Sequence, residues 1–363
     1  MGLKRFMKRS TALAATGAGL AAWAMMPRNK ESRRVARACD MPDVYYAHRG
    51  LHDAGSGLTK GYAQTSGGYV ALARTLADKA GFGSADSPFP IAPENSLAAF
   101  AAACEAGYGI ELDIQLTADG EVVVVHDADL RRVAGDPRRI EDLTYDELRS
   151  IPLFPDPAKP GDSKVNVEKE AGTVSGMESE GSHEVDSSKE SADFQGAGTF
   201  QHVPLFSEVL DLVAGRVPII VEYKIHHEDW WTYEEELMAK GDALLEAYEG
   251  AYAIESFNPM VLRWYRQHRP EVCRGQLAVD SDFKQDLKQR RMKRWFAGKL
   301  LFDFVGRPDF VAYEWHGGTR FQLRAAGEFG AMPVSWTIRS ADELAEASRS
   351  FDRHIFESFV PQD

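Results

Sequence analysis

Nine short apolar runs punctuate the chain from Val44 to its end, and they constrain its fold more than any other feature. They are "VYYAHRG", "GIELDIQL", "VVVVHD", "PIIVEYKI", "AYAIESF", "CRGQLAV", "DFVAYEW", "PVSWTI" and "HIFESF". Several are continuous Val- and Ile-rich stretches, the pattern of strands buried on both faces. Helix-like segments separate many of them. "NSLAAFAAACEAG" offers an Asn or Ser cap and a Gly stop, and "LTYDELRSI" sets Glu147 three residues after Thr144 as a capping box. Repeated strand–helix alternation predicts an α/β fold with a parallel sheet. Eight or nine strands in 363 residues make a closed (β/α)8 TIM-type barrel the leading architecture.

One connection is irregular. Between Asp113 and His126 there is no room for a crossover helix, and "TADG" reads as a tight turn. Strands 2 and 3 therefore form a hairpin-like excursion. Two segments read as insertions. Residues 51–90 are rich in Gly, Ser and Ala, with a helical pattern at "GYVALARTLADKAG"; residues 155–203 lack Leu and Ile and are crowded with Ser, Glu, Lys and Gly. The second cannot bury enough apolar surface to order itself and is expected to be a disordered loop. The resulting division is an N-terminal segment, 1–40, and one barrel, 41–363.

The N-terminus joins four basic residues in "MGLKRFMKRS" to the weakly apolar "TALAATGAGLAAWAMM". That is the shape of a short membrane anchor or a secretory signal. The barrel is accordingly expected to be membrane-anchored, or secreted if the segment is cleaved; the side of the membrane is not readable. A net charge of −13 excludes a general nucleic-acid binder. Cys39, Cys104 and Cys273 are odd in number and far apart, and predict neither a metal site nor a disulfide framework.

Polar groups gather at strand ends: His48-Arg49, Glu111 and Asp113, His126-Asp127, Glu222 and Lys224, Ser256-Phe257-Asn258, and Trp336. Each alone has a plain explanation as a cap, a structural histidine or a surface pair. Together they count for more, because the C-terminal ends of parallel barrel strands share one rim. Glu111, Asp113 and Glu222 offer hard oxygen ligands suited to Mg²⁺ or Ca²⁺, with Mn²⁺ also compatible. His48 and His126 can exchange protons near neutral pH, and Arg49 and Lys224 can neutralise an anionic oxygen. Metal, cations and two proton-transfer groups describe phosphodiester cleavage.

The stretches "AHRG" (47–50), "APENSLAAF" (92–100), "GIELDIQLTADGEVVVVHD" (109–127), "VPLFSEVLDLV" (203–213), "IIVEYK" (219–224), "SFNP" (256–259) and "SWTI" (335–338) resemble the glycerophosphodiester phosphodiesterase family, within the phospholipase C-like barrels. The resemblance spans about residues 45–340 in the family's order. It implies hydrolysis of glycerophosphodiesters, phospholipid-derived substrates, to sn-glycerol 3-phosphate and an alcohol. It also implies Glu111, Asp113 and Glu222 as metal ligands and His48 and His126 as the acid–base pair. Arg49 and Lys224 would hold the phosphate, with Trp336 expected to contact substrate. Glu94, the PEN glutamate, is a supporting residue at the metal's edge or behind Arg49, and Asp127 a support or turn former.

Departures from the family are the forty or so residues between HRG and PEN, the 155–203 insertion, and a closing strand read as lacking the usual acidic end, where nothing catalytic is expected. Rival readings are a phospholipase D-like or cyclising lyase on lysolipids, a hydrolase of glycerol-phosphate polymers, and a non-catalytic barrel that binds a phosphate ligand.

Overall fold

A computed structural model of the chain describes residues 41–54, 65–155, 200–227, 229–279 and 302–362, with Trp23, Ala24, Met26 and Leu300. The expectations for the N-terminal segment and for the 155–203 insertion fall almost wholly outside these residues. Among the described residues, no helix is long and apolar enough to cross a membrane.

The elements run β1 (Tyr46–His48), α1 (Gly67–Lys79), α2 (Leu97–Ala106), β2 (Gly109–Leu116), β3 (Val122–Val124), α3 (Arg131–Ala134), α4 (Tyr145–Arg149), α5 (Phe206–Val213), β4 (Ile219–Tyr223), α6 (Thr232–Ala247), β5 (Tyr252–Ser256), α7 (Pro259–His268), β6 (Arg274–Ala278), α8 (Asp303–Gly306), β7 (Phe310–Glu314), α9 (Phe321–Glu328), β8 (Met332–Ile338), α10 (Ala341–Ala347) and β9 (Arg353–Phe356). Each of the nine apolar runs contributes a strand. Eight are parallel, in the order β1-β9-β8-β7-β6-β5-β4-β2, and pairing of β1 with β2 closes the barrel. β3 is the exception: it runs antiparallel to β2, with Ile114 opposite Val124. The short Asp113–His126 spacing thus yields a hairpin outside the closed ring.

Strand alternation sorts side chains into two layers. Tyr46, Ile220, Ala253, Leu277, Phe310, Ala312, Val334 and Ile355 fill the barrel's interior. Ala47, Ile110, Leu112, Val221, Ile254, Val311 and Tyr313 face outward, into the layer covered by the helices. Continuing the inner series toward the strands' C-terminal ends gives His48, Glu111, Glu222, Glu255, Glu314 and Glu357. The same alternation that builds an apolar plug therefore delivers polar groups to the rim.

Helix ends follow local chemistry. Ser66 caps α1 and Ser96 caps α2, each accepting from a first-turn N–H, and α2 stops at left-handed Gly107. The Thr144–Glu147 capping box is present on α4. α1 packs on α2 at the barrel's flank, burying Tyr69, Ala73 and Ala77, so this part of the 51–90 segment is a wall of the domain. Cys273 is disulfide-bonded, its partner lying outside the described residues, while Cys104 is free and buried. The spacing argument against a disulfide fails because sequence separation says little about which strand end a distant cysteine meets.

Candidate active site

The site starts at the end of β1. Arg49 lies in the left-handed region at φ 58°, followed by Gly50 at φ 82°. A Cβ on Gly50 would sit 2.9 Å from the Ala99 backbone in α2, so only glycine fits this turn. The turn aims the Arg49 N–H at both the Glu111 carbonyl, 2.9 Å, and the Glu111 carboxylate, 3.1 Å. His48 stands in direct register with Glu111, as Asp113 does with Glu222.

Glu111, Asp113 and Glu222 are buried, and one oxygen from each lies within 4.8 Å of the others. Lys224, two residues after Glu222 and on the same face, bridges them at 2.7 Å to Glu222 and 2.9 Å to Asp113. Arg49 Nε approaches Asp113 at 3.5 Å. Burial and then the neighbouring carboxylates raise the pKa of Glu111 well above the ordinary range. Burial also pushes up Asp113, but Lys224, His126 and Arg49 outweigh it and keep this carboxyl ionised. Burial dominates at Glu222 and lifts it to about 7. Such crowding of acids is what a cation would relieve.

Both histidines are held by a carboxylate. His48 Nδ1 lies 2.6 Å from Glu357 Oε2, and His126 Nδ1 lies 2.6 Å from Asp127 Oδ1. An ionised acceptor places the proton on Nδ1 in each ring and leaves Nε2 as the working nitrogen; that of His48 stands 3.9 Å from Glu111. Burial and then Arg49 lower the pKa of His48, with Glu357 acting in the opposite sense. Burial, Arg49 and Lys224 push His126 down to about 3.

Glu94 does orient Arg49, at 2.9 Å, but it also takes a two-pronged contact from Arg132, both bonds 2.6 Å. Burial alone would raise Glu94; Arg49 and Arg132 override it and hold the group at about 2. Arg132 Nε reaches on to Asp127 at 2.5 Å. Asn95 donates to Asp113 at 2.9 Å. The PEN stretch therefore links the cation Arg49 to the acid Asp113.

Nine residues singled out in the sequence meet here, with corrections at the site's edges. Ser256 faces outward and donates to the Tyr223 carbonyl, and Asn258 caps α7, so neither joins the cluster. Trp336 packs edge-on against Phe257 at 5.6 Å, and its Nε1 donates to the Ala312 carbonyl. The closing strand does carry an acid: Glu357 follows Phe356 and holds His48, contrary to the expectation that this end is empty. The signal was alternation with inward Ile355, masked because Ser358 and Phe359 blur the strand's end. Arg132, Asn95 and Glu255 were also missed. Glu255 is buried beside Glu222 in register, and burial followed by Glu222 raises its pKa well above the ordinary range. A cavity of about 680 Å³ opens at the opposite end of the barrel, lined by Tyr46, Pro218 and Tyr252, and none of its described lining residues is a histidine.

Comparisons with known proteins converge on one group. The model of the glycerophosphoryl diester phosphodiesterase family matches residues 83–349. A glycerophosphodiester phosphodiesterase of Bacillus altitudinis is 26% identical over 196 residues, covering 54% of this chain and 65% of that protein. One from Caldanaerobacter subterraneus is 45% identical over 60 residues, 16% of this chain and 25% of that protein. The matched stretches thus span less than two thirds of these relatives. Among solved structures, an Oleispira antarctica phosphodiesterase in complex with the product sn-glycerol-3-phosphate aligns with a TM-score of 0.51 at 16% identity, over 87% of this chain and 92% of that one. That likeness concerns the fold.

Proposed function

The chain belongs to the glycerophosphoryl diester phosphodiesterase family, and from that premise we propose that it hydrolyses glycerophosphodiesters to sn-glycerol 3-phosphate and an alcohol, using one divalent cation. The observation that carries this reading is the meeting of three carboxylates, two carboxylate-held histidines and two cations at one rim.

Glu111, Asp113 and Glu222 suit a hard cation, Mg²⁺ or Ca²⁺ with Mn²⁺ compatible, because all three are buried oxygen donors and together outnumber the nearby positive charges. A cation held there supplies Lewis-acid stabilisation of charge on a phosphate oxygen. Arg49 and Lys224 bind the phosphate's remaining oxygens and share that charge. One histidine takes the proton of the nucleophile at its Nε2: either water, which gives sn-glycerol 3-phosphate directly, or the glycerol 2-hydroxyl, which gives a cyclic phosphate that water then opens. The other, entering the step protonated on both ring nitrogens, gives its Nε2 proton to the departing alkoxide and is left neutral. Glu357 and Asp127 keep each ring in the required tautomer, and Glu94 keeps Arg49 extended. Trp336 lines the alcohol's side of the mouth.

The test is turnover of glycerophosphocholine by the full chain, with sn-glycerol 3-phosphate identified as product, before and after chelation. Loss on chelation and recovery with Ca²⁺ or Mg²⁺ is expected. Turnover indifferent to chelation, or phosphomonoesters turned over faster than diesters, would sink the assignment.

The N-terminal segment, in this reading, anchors the barrel to a membrane, or exports it if cleaved. Support comes from the basic-then-apolar pattern and from bonded Cys273, since disulfides persist in oxidising compartments. Carbonate extraction of membranes and reaction of intact cells with an impermeant label would decide it; a freely soluble cytosolic protein with reduced Cys273 excludes the idea.

A further inference from the structure

The C-terminal ends of the barrel strands carry the active site, and the opposite end, the base, receives the N-terminal chain. Arg353, the first residue of β9, donates from Nε to the Met41 and Pro42 carbonyls at 3.2 and 3.1 Å. The Tyr46 hydroxyl reaches the Pro42 carbonyl as well, at 3.1 Å. Cys273, which is disulfide-bonded, directly precedes β6 and lines the base cavity together with Met41.

A second tie to the base comes from earlier in the chain. Arg274, the first residue of β6, donates from Nε to the Gly306 carbonyl at 2.8 Å, which holds the end of α8 against the base. From there Arg307 donates to the Trp23 carbonyl at 2.8 Å and to the Met26 carbonyl at 2.7 Å. Its guanidinium stands 4.8 Å from the centre of the Trp23 ring, and that ring stacks on Phe304 of α8 at 5.2 Å. The Met26 N–H closes a turn onto the Trp23 carbonyl at 3.3 Å. Trp23 is still 50% exposed and Met26 43%, so each keeps an open apolar face.

We propose that the base of the barrel, around α8 and the Trp23–Met26 turn, lies against a phospholipid surface bearing anionic head groups, and that the active-site mouth opens away from it into water. The inference rests on the membrane-anchor reading and adds an orientation to it. Trp23 and Met26 end the apolar run "TALAATGAGLAAWAMM", so a bilayer that holds this run meets the barrel where Arg307 clamps them. Tryptophan suits that depth, because its ring is apolar and its N–H polar. In sequence, residues 27–40 add Arg28, Lys30, Arg33, Arg34 and Arg37 against two acids, a balance that favours anionic lipid. The mouth is the competing face, since Trp231, Phe257 and Phe321 are exposed there. Those rings follow β4, β5 and β7, at the end of the barrel opposite the clamp. A mouth turned to water takes water-soluble diesters in preference to lysolipids held in the bilayer.

The test is flotation of the full chain with vesicles of phosphatidylcholine and phosphatidylglycerol, followed by photolysis of a diazirine carried on the lipid head group. Peptides covering residues 302–309 and 269–273 should take most of the label, and those containing Trp231, Phe257 or Phe321 little. Mouth peptides labelled as strongly as base peptides would overturn the orientation and leave the anchor reading standing. A chain that does not float sinks the anchor reading and the orientation with it. Arg307→Gln removes the clamp at a distance from the active site. The variant should still float, with labelling of the base peptides reduced about fivefold. Trp23→Leu, which changes no residue of the barrel, should act in the same way. Base labelling unchanged in both variants refutes the proposal.

Discussion

The two histidines of the mouth are held by the same chemistry in opposite settings. His48 meets Glu357 across the seam where β1 joins β9, 309 residues apart in sequence, and the glutamate is 2% exposed. His126 meets its own neighbour Asp127 on the β3 excursion, with side chains 31% and 28% exposed. Glu357 is further held by Arg339 at 2.7 Å, and burial, which would raise it, is overridden chiefly by His48. Asp127 leans on Arg132. The seam pair is a fixture of the closed ring; the hairpin pair rides on an element outside it. The inner histidine thus depends on one buried partner, and the outer one is supported from several directions, including water.

Removing the imidazoles themselves tests whether the pairs are equivalent in chemistry despite their settings. His48→Ala and His126→Ala should each lower kcat on the order of 10²–10⁴ if each is a general acid or base. A loss at one position only would reduce the comparison to one working histidine and one structural one. Next comes the seam. Glu357→Gln should cost roughly 10² in kcat by releasing the His48 tautomer, and should add little in a His48→Ala background. Additive losses would mean that Glu357 acts on something other than His48.

Between the two pairs lies Glu94, whose pKa is held at about 2 against 4.5 for an ordinary glutamate. A depressed folded-state pKa stabilises the protein fully above pH 4.5, and that stabilisation disappears as pH falls through about 2. It amounts to about 3 kcal/mol at neutral pH for a group this deeply buried. Glu94→Gln should therefore lower the melting temperature at pH 7 and lose most of that deficit near pH 2. A deficit that stays constant with pH would detach Glu94 from the Arg49–Arg132 pair.

How far this was legible in the sequence depends on what each contact requires. The nine apolar runs and the turn at "TADG" report their own structure, because burial and turn chemistry are local. Glu111, Asp113, Glu222 and Lys224 were legible for the same reason: carboxylates and a lysine two apart on apolar strands share a face. Asp127 was half legible, its tie to His126 being local and its tie to Arg132 not. Arg132 sits on a four-residue helix without amphipathic pattern and reaches Glu94 across 38 residues. Glu357 needed both barrel closure and the inward phase of β9. Neither is local, and a strand of four residues fixes its phase weakly.

The smallest effect falls on the hairpin pair, and it sharpens the comparison most. Asp127→Asn keeps an acceptor for His126 Nδ1–H but gives up the charge that Arg132 Nε meets at 2.5 Å. With the side chain 28% exposed, water takes over part of that interaction. Arg132 also keeps both bonds to Glu94. The expected loss in kcat is a few-fold, well below that of Glu357→Gln, even though both carboxylates lie 2.6 Å from their histidines. Equal losses at 127 and 357 would show that hydrogen-bond distance alone sets the contribution. A few-fold loss at 127 beside roughly 10² at 357 would assign the difference to burial and ring closure.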